Sequence, residues 1–344
     1  MSKSPRRTRA SRPRPEPAAT NRPVVDPSKL DRLPVTYQAL SDYFGGQNRV
    51  NPFLLRKETF LRIESITGRP LICYVTRTSN LPRGVPIPAY IDDGDLTGFG
   101  DLLQSTQGEA IDVLVVSNGG SAEATERIVR LIRERFKVVR FLLPANAYSA
   151  ATLMCFSGDE LLMDSLATLG PIDPQLNGVP VYAILKAFET VEERLKKEGP
   201  RALTAYMPLI SKYDLHILEL CKSAQELSKE LARTWLSSYM LKCVEGDPRV
   251  TAIVEFFSDY PTHKSHGRSI GREKALQLGL TVTNAERVER LGDLLRSLHN
   301  QYQLWFDKTS FYKMFENAHG VNWGRQFTQA VMVSAPQSPA NPRA

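Results

Sequence analysis

The sequence has no run of about 20 apolar residues, the length that a helix needs to cross a bilayer. The pair Arg6 and Arg7 suggests an export signal, but no apolar stretch follows it. We therefore expect a soluble protein that stays in the cytoplasm.

Metal and nucleotide motifs are also missing. The four cysteines are widely spaced and form no CxxC pair, so a zinc site is not expected. Residues 92–95 (Asp-Asp-Gly-Asp) begin like a calcium loop, but Leu103 stands where an EF-hand needs its final glutamate, and a turn that caps a helix is the simpler interpretation. Neither a Gly-x-x-x-x-Gly-Lys loop nor a dinucleotide fingerprint occurs. We expect no cofactor, and any ATPase partner is expected to be a separate protein.

Acidic residues are scarce at the start of the chain. Residues 1–25 contain seven lysines or arginines and one acid, Glu16, which accounts for most of the net charge of +7. Proline is frequent and large apolar side chains are rare, which predicts disorder for residues 1–34. An Arg-rich tail can contact nucleic acid or an anionic surface, and a solvated extension is the alternative.

The rest of the chain divides into three predicted parts. Residues 35–282 are predicted to form the main domain, residues 283–334 a helical extension, and residues 335–344 a second disordered tail. Long helices are predicted at 182–198, 203–212, 214–241 and 285–307. These helices suit subunit contacts or packing within the chain.

Residues 111–163 predict an α/β fold with a parallel sheet. Apolar stretches at 111–116, 138–143 and 160–163 have the length of buried strands. Helical segments separate them, and the first has its apolar side chains on one face: Ala124, Ile128, Leu131 and Ile132. Repeated strand–helix–strand units form right-handed crossovers, so we expect helices to cover the sheet.

Two features follow the first two predicted strands. Gly119 and Gly120 form a turn, where residues without a Cβ let the backbone approach a substrate and donate N–H groups to an oxyanion. Ser149 lies among small residues and precedes a helix. Its hydroxyl is a candidate nucleophile, and it is equally suited to cap that helix. The local sequence leaves both roles open.

Residues 111–175 resemble the core of the Clp protease and crotonase superfamily. Residues 147–152 (Ala-Tyr-Ser-Ala-Ala-Thr) are similar to the nucleophile motif of signal peptide peptidases and of the serine dehydrogenase proteinase family. Further motifs resemble the latter family: residues 157–163, 169–175, 266–270 and 275–280. The resemblance implies a layered ClpP/crotonase-like core of repeated ββα and βαβ units and assembly into a homo-oligomer.

The same resemblance implies roles for individual residues. Ser149 is the nucleophile, and the oxyanion hole consists of Gly119, Gly120 and Ala150. Ala151 departs from the pattern, since many relatives carry glycine at this position.

The sequence leaves the general base open. In the Clp protease subunit the catalytic histidine comes from the stretch that corresponds to residues 170–174, and none is present there. Signal peptide peptidases use a serine–lysine pair, which makes Lys186 a candidate if burial or a neighbouring cation lowers its pKa. Lys212 and Lys222 are alternatives, and each of the three lysines also fits a solvated helix surface.

His263 and His266 are the other candidate bases. They lie in the region that supplies the catalytic acid in the Clp subunit, and histidine needs little pKa tuning to act as a base. A turn before a helix is the simpler explanation of this segment. The leading hypothesis is a ClpP-like serine peptidase that hydrolyses peptide bonds in a peptide or protein substrate. A catalytically inactive Clp-fold scaffold and a crotonase-like thioester enzyme are the alternatives.

Overall fold

The computed structural model describes residues 26–45, 50–82, 86–199, 203–210, 216–244 and 246–327. The predicted disorder of residues 1–25 and 335–344, and the predicted contact of the first tail with nucleic acid, concern segments outside these described residues. Residues 26–34 pack against the protein: Leu33 is buried, and the Arg62 guanidinium donates to the Leu30 carbonyl at 2.6 Å. The predicted boundary of the tail at residue 34 stays a prediction.

Strands and helices alternate through most of the described chain. The α-helices are α1 (Tyr37–Gly45), α2 (Pro52–Thr67), α3 (Asp95–Gln104), α4 (Ala122–Arg135), α5 (Ala150–Phe156), α6 (Val181–Glu198), α7 (Leu203–Ile210), α8 (His216–Trp235), α9 (Pro248–Ser258), α10 (Tyr260–His263), α11 (Arg272–Gln277) and α12 (Leu291–Lys308). The strands are β1 (Leu71–Thr76), β2 (Ala110–Val116), β3 (Val138–Leu143), β4 (Asn146–Ala147), β5 (Glu160–Met163), β6 (Thr168–Leu169), β7 (Gln175–Leu176), β8 (Val179–Pro180), β9 (Ile270–Gly271), β10 (Val282–Asn284), β11 (Phe311–Asn317) and β12 (Asn322–Gln326). Within the described ranges, none of the helices combines the length and apolarity needed to cross a membrane.

The central sheet has seven strands in the order β10-β5-β3-β2-β1-β11-β12. The five from β10 to β1 run parallel to their neighbours, whereas β11 is antiparallel to β1 and β12 to β11. All residues of β1 are buried, and β2 and β5 are buried apart from their first residues. Such burial is expected of strands with helices on both faces. The predicted α/β class with a parallel sheet is confirmed.

Side chains that alternate along the strands divide the core into two layers. One face carries Tyr74 and Val113 and packs on α3, α4, α5 and α8. The other face carries Cys73 and Leu114 and packs on α1, α2 and α12. Helix α5, which directly follows Ser149, therefore belongs to the first layer.

The predicted helical extension instead contributes two strands to the central sheet. Helix α12 matches the predicted helix at 285–307 except at its start, where a 3-10 helix spans Ala285–Arg287. Strands β11 and β12 have no counterpart in the prediction, because Lys313 and Glu316 interrupt the apolar pattern of β11. Both charges are buried and paired, Lys313 with Asp92 and Asp95 and Glu316 with Arg56. Only these tertiary partners make the two positions compatible with burial.

A second sheet, in the order β4-β6-β9, brings distant segments of the chain together. Strand β4 is parallel to β6 and aligns Ala147 with Leu169, while β6 is antiparallel to β9 and aligns Leu169 with Ile270. A bridge between Ser117 and Ala147 connects β4 to the end of β2. The segments that follow β2, β4 and β6 therefore meet the segment that precedes β9.

Candidate active site

Ser149 occupies a strained turn between β4 and α5. Its φ of 53° and ψ of −120° are values that residues with a side chain rarely adopt. The residue is partly exposed, and its side chain makes no capping hydrogen bond to α5. The helix-cap alternative for this serine is therefore wrong. A serine on a tight strand-to-helix turn is the arrangement that presents the nucleophile in α/β-hydrolases.

The start of α5 is tied to both neighbouring segments. Thr152 Oγ1 donates to the Ala147 carbonyl at 2.6 Å and accepts the Gly170 N–H at 3.0 Å. Every residue of α5 is buried. Ala151, where many relatives carry glycine, is fully buried as well, so its additional methyl group lies in the core.

The glycine turn packs directly against Ser149. Gly119 and Gly120 have φ values of 101° and 151°, in the region that favours glycine. A Cβ added to Gly119 would lie 2.7 Å from Ser149 Cβ and 2.7 Å from the Tyr148 carbonyl oxygen. Two segments that are distant in sequence are thus in contact, as an oxyanion turn beside a nucleophile requires.

The Gly119→Ala variant is expected to react with a fluorophosphonate at Ser149 at least about 100-fold more slowly. The added methyl group has no room, so the turn and Ser149 must move apart. Gly100→Ala is the control, because Gly100 lies on exposed helix surface with open space around it, and we expect no change in its labelling rate. An unchanged rate in Gly119→Ala would contradict the contact.

Two backbone N–H groups beside Ser149, those of Gly120 and Ala150, have no hydrogen-bond partner in the described part of the chain. The Ala150 N–H belongs to the first turn of α5, which has no carbonyl for it within the helix. The Gly119 N–H donates to Ser117 Oγ at 3.1 Å. Of the three predicted oxyanion donors, two are therefore free, and the third helps to fix the turn.

Ile91 holds the outer side of the glycine turn. Its N–H donates to the Gly119 carbonyl at 2.7 Å, and its carbonyl accepts the Ser121 N–H at 2.9 Å. A Cβ on Gly120 would overlap the Ile91 carbonyl oxygen. The turn is therefore clamped between Ile91 on one side and Ser149 on the other.

A buried ion cluster anchors the segment that begins at Ile91. The Lys313 ammonium donates to Asp95 Oδ1 at 2.7 Å and to Asp92 Oδ2 at 2.8 Å. The Tyr74 hydroxyl donates to Asp95 Oδ2 at 2.7 Å. Burial raises the pKa of Asp95, and the neighbouring Lys313 ammonium opposes this rise. The acidic turn at residues 92–95, which begins like a calcium loop, therefore binds the ammonium group of Lys313.

Lys313→Met is expected to lower the free energy of unfolding by about 3–5 kcal/mol, because it leaves Asp95 buried without a cation. Addition of Asp95→Asn is expected to recover part of this loss, since the remaining group is neutral. Urea unfolding followed by circular dichroism measures both changes. Lys137→Met is the control: its pair with Glu109 is exposed, and we expect a change within about 0.5 kcal/mol. Equal losses in the two lysine variants would contradict the role of the cluster.

His266 lies beside an aspartate that the sequence analysis did not single out. Its Nδ1 is 2.9 Å from Asp173 Oδ1. The Asp173 side chain is 2% exposed and that of His266 is 19% exposed, so a buried carboxylate orients a partly exposed ring. Asp173 stands in the stretch 170–174, where the sequence analysis looked for a histidine and found none.

The small sheet joins the two segments of this pair to the segment that carries Ser149. Strand β6 pairs on one side with β4, which ends two residues before Ser149, and on its other side with β9. Asp173 lies four residues after β6, and His266 lies four residues before β9. The only sequence signal for Asp173 was its position where a catalytic histidine was missing.

The surroundings of Lys186 and Lys222 raise their pKa values, whereas a lysine that acts as a general base needs a lowered pKa. Lys186 is half exposed on α6, and its hydrogen bond to Glu189 (3.0 Å) raises its pKa, whereas a base needs a lowered value. Lys222 is paired with Glu219 at 2.9 Å, and this hydrogen bond likewise raises its pKa. Lys212 lies outside the described residues.

His263 is a packing residue at the end of α10. Its Nε2 is 2.6 Å from the Phe256 carbonyl oxygen, and its ring lies edge-on to the Phe256 ring with centroids 4.9 Å apart. The residue is only 4% exposed. It therefore fixes the start of the loop that carries His266.

Across the described chain, no group of three or more His, Cys, Asp or Glu side chains is arranged to hold a metal ion.

Comparison with protein families identifies the class of this fold and site. Residues 47–233, more than half of the chain, match the family described as ClpP-like SDH-type serine proteinase. The chain therefore belongs to this family.

Two proteins of Methanocaldococcus jannaschii are similar to this chain. The uncharacterized protein MJ1495 is 28% identical over 188 residues, which cover 52% of this chain and 64% of that protein. The uncharacterized protein MJ0137 is 30% identical over 107 residues, which cover 31% and 37%. The chain thus spans less than two thirds of the length of either relative.

Solved structures with partial similarity include two proteases. A serine-to-alanine variant of the membrane-bound stomatin-specific protease 1510-N has a TM-score of 0.35 and 19% identity, covering 59% of this chain and 78% of that one. A ClpP1 variant from Listeria monocytogenes has a TM-score of 0.34 and 13% identity, covering 68% and 99%.

Proposed function

We propose that this protein is a serine peptidase that hydrolyses peptide bonds through an acyl-enzyme. Membership of a serine proteinase family supports this function. The observation that carries it is the contact between Gly119 and the strained Ser149, which sets a partly exposed hydroxyl beside backbone donors. Ser149 Oγ attacks the carbonyl carbon of the substrate, and water later releases the acyl group.

The Gly120 and Ala150 N–H groups are the proposed oxyanion donors. Both lie beside Ser149, and both lack a partner in the described part of the chain. The Ala150 amide also stands at the N-terminus of α5, where the partial positive charge of the helix favours an anion. Each good donor of this kind typically contributes roughly 3 kcal/mol to transition-state stabilisation.

His266 is the proposed general base, and Asp173 is the residue that orients it. With Nδ1–H donating to Asp173, the Nε2 lone pair is left to accept the Ser149 proton. The same proton then passes to the leaving amine. The buried carboxylate stabilises the imidazolium that forms during the reaction. This dyad replaces the serine–lysine pair as the preferred proposal, because Lys186 forms an exposed ion pair instead.

Labelling with a fluorophosphonate, followed by mass spectrometry of the digest, tests this function. The expected adduct is a phosphonate on Ser149, together with cleavage of a mixed peptide library by the untreated protein. An adduct on another residue would exclude Ser149 as the nucleophile. Absence of both adduct and cleavage would favour the inactive scaffold.

A homo-oligomer is part of the same proposal. Helices α7 and α8 expose large apolar side chains, Leu203 at 40%, Met207 at 50% and Leu220 at 55%, which suit burial between subunits. Sedimentation analysis of the purified protein tests this assembly, and a monomer at micromolar concentration would overturn it. An ATPase that feeds substrate to the site remains a prediction.

A further inference from the structure

Tyr148 contacts each segment that the proposed catalytic site needs. It directly precedes Ser149, and its N–H donates to the Ser117 carbonyl at 2.9 Å, which ties it to the glycine turn. Its ring lies over Gly170, where an added Cβ would be 2.9 Å from ring Cδ1. Its hydroxyl is 2.8 Å from Ser269 Oγ. One side chain thus crosses from the nucleophile turn, over the end of β6, to the start of β9.

The Tyr148 hydroxyl has a second partner besides Ser269. Thr168 Oγ1 donates to the Tyr148 phenol oxygen at 3.1 Å. In the contact with Ser269 either hydroxyl group can be the donor. The three hydroxyl groups of Thr168, Tyr148 and Ser269 form one chain across β4, β6 and β9.

The contact matters because the His266 loop, residues 264–269, has few other attachments. Strands β4, β6 and β9 contain only two residues each. Every residue of the loop except His266 is exposed, and His266 itself is partly exposed. The side chain of Asp173 holds the loop at His266, and Tyr148 holds it at Ser269.

We propose that Tyr148 is a positioning residue, whose hydroxyl aligns the His266 loop with Ser149 by binding Ser269. This inference rests on the proposed function, because it assumes that His266 activates Ser149. The phenol does not contact the reacting atoms. It acts on the distance between nucleophile and base, and small errors in that distance slow proton transfer strongly.

Tyr148→Phe removes the hydroxyl and keeps the ring on Gly170. We expect kcat to fall about tenfold while KM stays within about twofold, since the lost interaction affects alignment rather than substrate binding. Ser269→Ala is expected to have the same effect, and Ser269→Thr, which retains a hydroxyl, to keep activity close to that of the unsubstituted protein. The Tyr148→Phe/Ser269→Ala double variant is expected to be no slower than Tyr148→Phe alone, because all three variants lose the contact between Tyr148 and Ser269.

Tyr37→Phe is the matched control. Its hydroxyl also makes an exposed hydrogen bond, to Asp307 at 2.9 Å, but on the opposite layer of the core. We expect no change in kcat. Unfolding midpoints of all variants, measured in urea, separate an effect on alignment from a general loss of stability.

Two results overturn the inference. One is a Tyr148→Phe protein with unchanged kcat and an unchanged rate of fluorophosphonate labelling. The other is a double variant whose loss equals the sum of the single losses in free energy. Failure of the proposed function gives a different pattern: either the unsubstituted protein shows neither labelling nor cleavage, or Ser149→Ala leaves them intact.

Discussion

Ser149→Ala is expected to abolish peptide hydrolysis and fluorophosphonate labelling together. In the proposed mechanism the oxygen of this hydroxyl attacks the substrate, and the adjacent N–H groups of Gly120 and Ala150 only stabilise the charge that forms. Loss of the nucleophile in serine peptidases lowers kcat by about 10⁶-fold, and the residual rate comes from the oxyanion hole and substrate binding. We expect turnover below detection in a continuous assay with a fluorogenic peptide.

A second serine provides the control for this result. Ser105 Oγ donates to the Leu102 carbonyl at 2.9 Å, at the end of α3. Ser105→Ala removes the same atoms without touching the glycine turn, and we expect unchanged kcat and labelling. Hydrolysis that persists in Ser149→Ala at more than about one hundredth of the original rate would rule out acyl transfer to this hydroxyl.

His266→Ala is expected to lower kcat by about 10²- to 10⁴-fold, the usual contribution of a general base. Asp173→Asn is expected to cause a loss of similar size, because an amide in place of the carboxylate favours the wrong tautomer of the ring. The two residues act as one unit through the 2.9 Å contact. The double variant should therefore be no slower than His266→Ala alone. Steady-state kinetics with a saturating peptide measures all three.

Lys186→Ala is the comparison that decides between the two kinds of dyad. Lys186 is half exposed and paired with Glu189, and that hydrogen bond raises its pKa, so we expect kcat to stay within about twofold of the original value. A 100-fold fall in Lys186→Ala with little change in His266→Ala would instead support a serine–lysine mechanism.

The His266–Asp173 pair has a consequence for how such sites are found in sequences. A search for a histidine in the stretch 170–174 finds none and suggests an inactive protein. The structure pairs the aspartate of that stretch with a histidine from the segment before β9.

Local patterns were sufficient for the parallel core. The stretches that became β2, β3 and β5 and the amphipathic helix α4 agree with the prediction, because burial of both faces makes such strands mostly apolar and burial of one face gives the helix an apolar stripe. The same patterns place Gly119 and Ser149 after neighbouring strands. Parallel strands align their carboxyl ends, and this alignment brings the two residues into contact.

Tertiary structure alone decided the features that depend on partners from distant segments. In the sequence, Lys313 and Glu316 make the segment of β11 look polar. In the structure, Lys313 pairs with Asp95 and Glu316 pairs with Arg56 inside the core. The proposal of His266 as the base depends in the same way on Asp173, which meets His266 through the pairing of β6 with β9. Strand–helix alternation and the turn residues follow from short stretches of sequence, because they depend on backbone conformation and apolar periodicity. The pairing of buried charges does not follow from short stretches of sequence, because the energy of a buried charge is set by the groups that the fold brings to it.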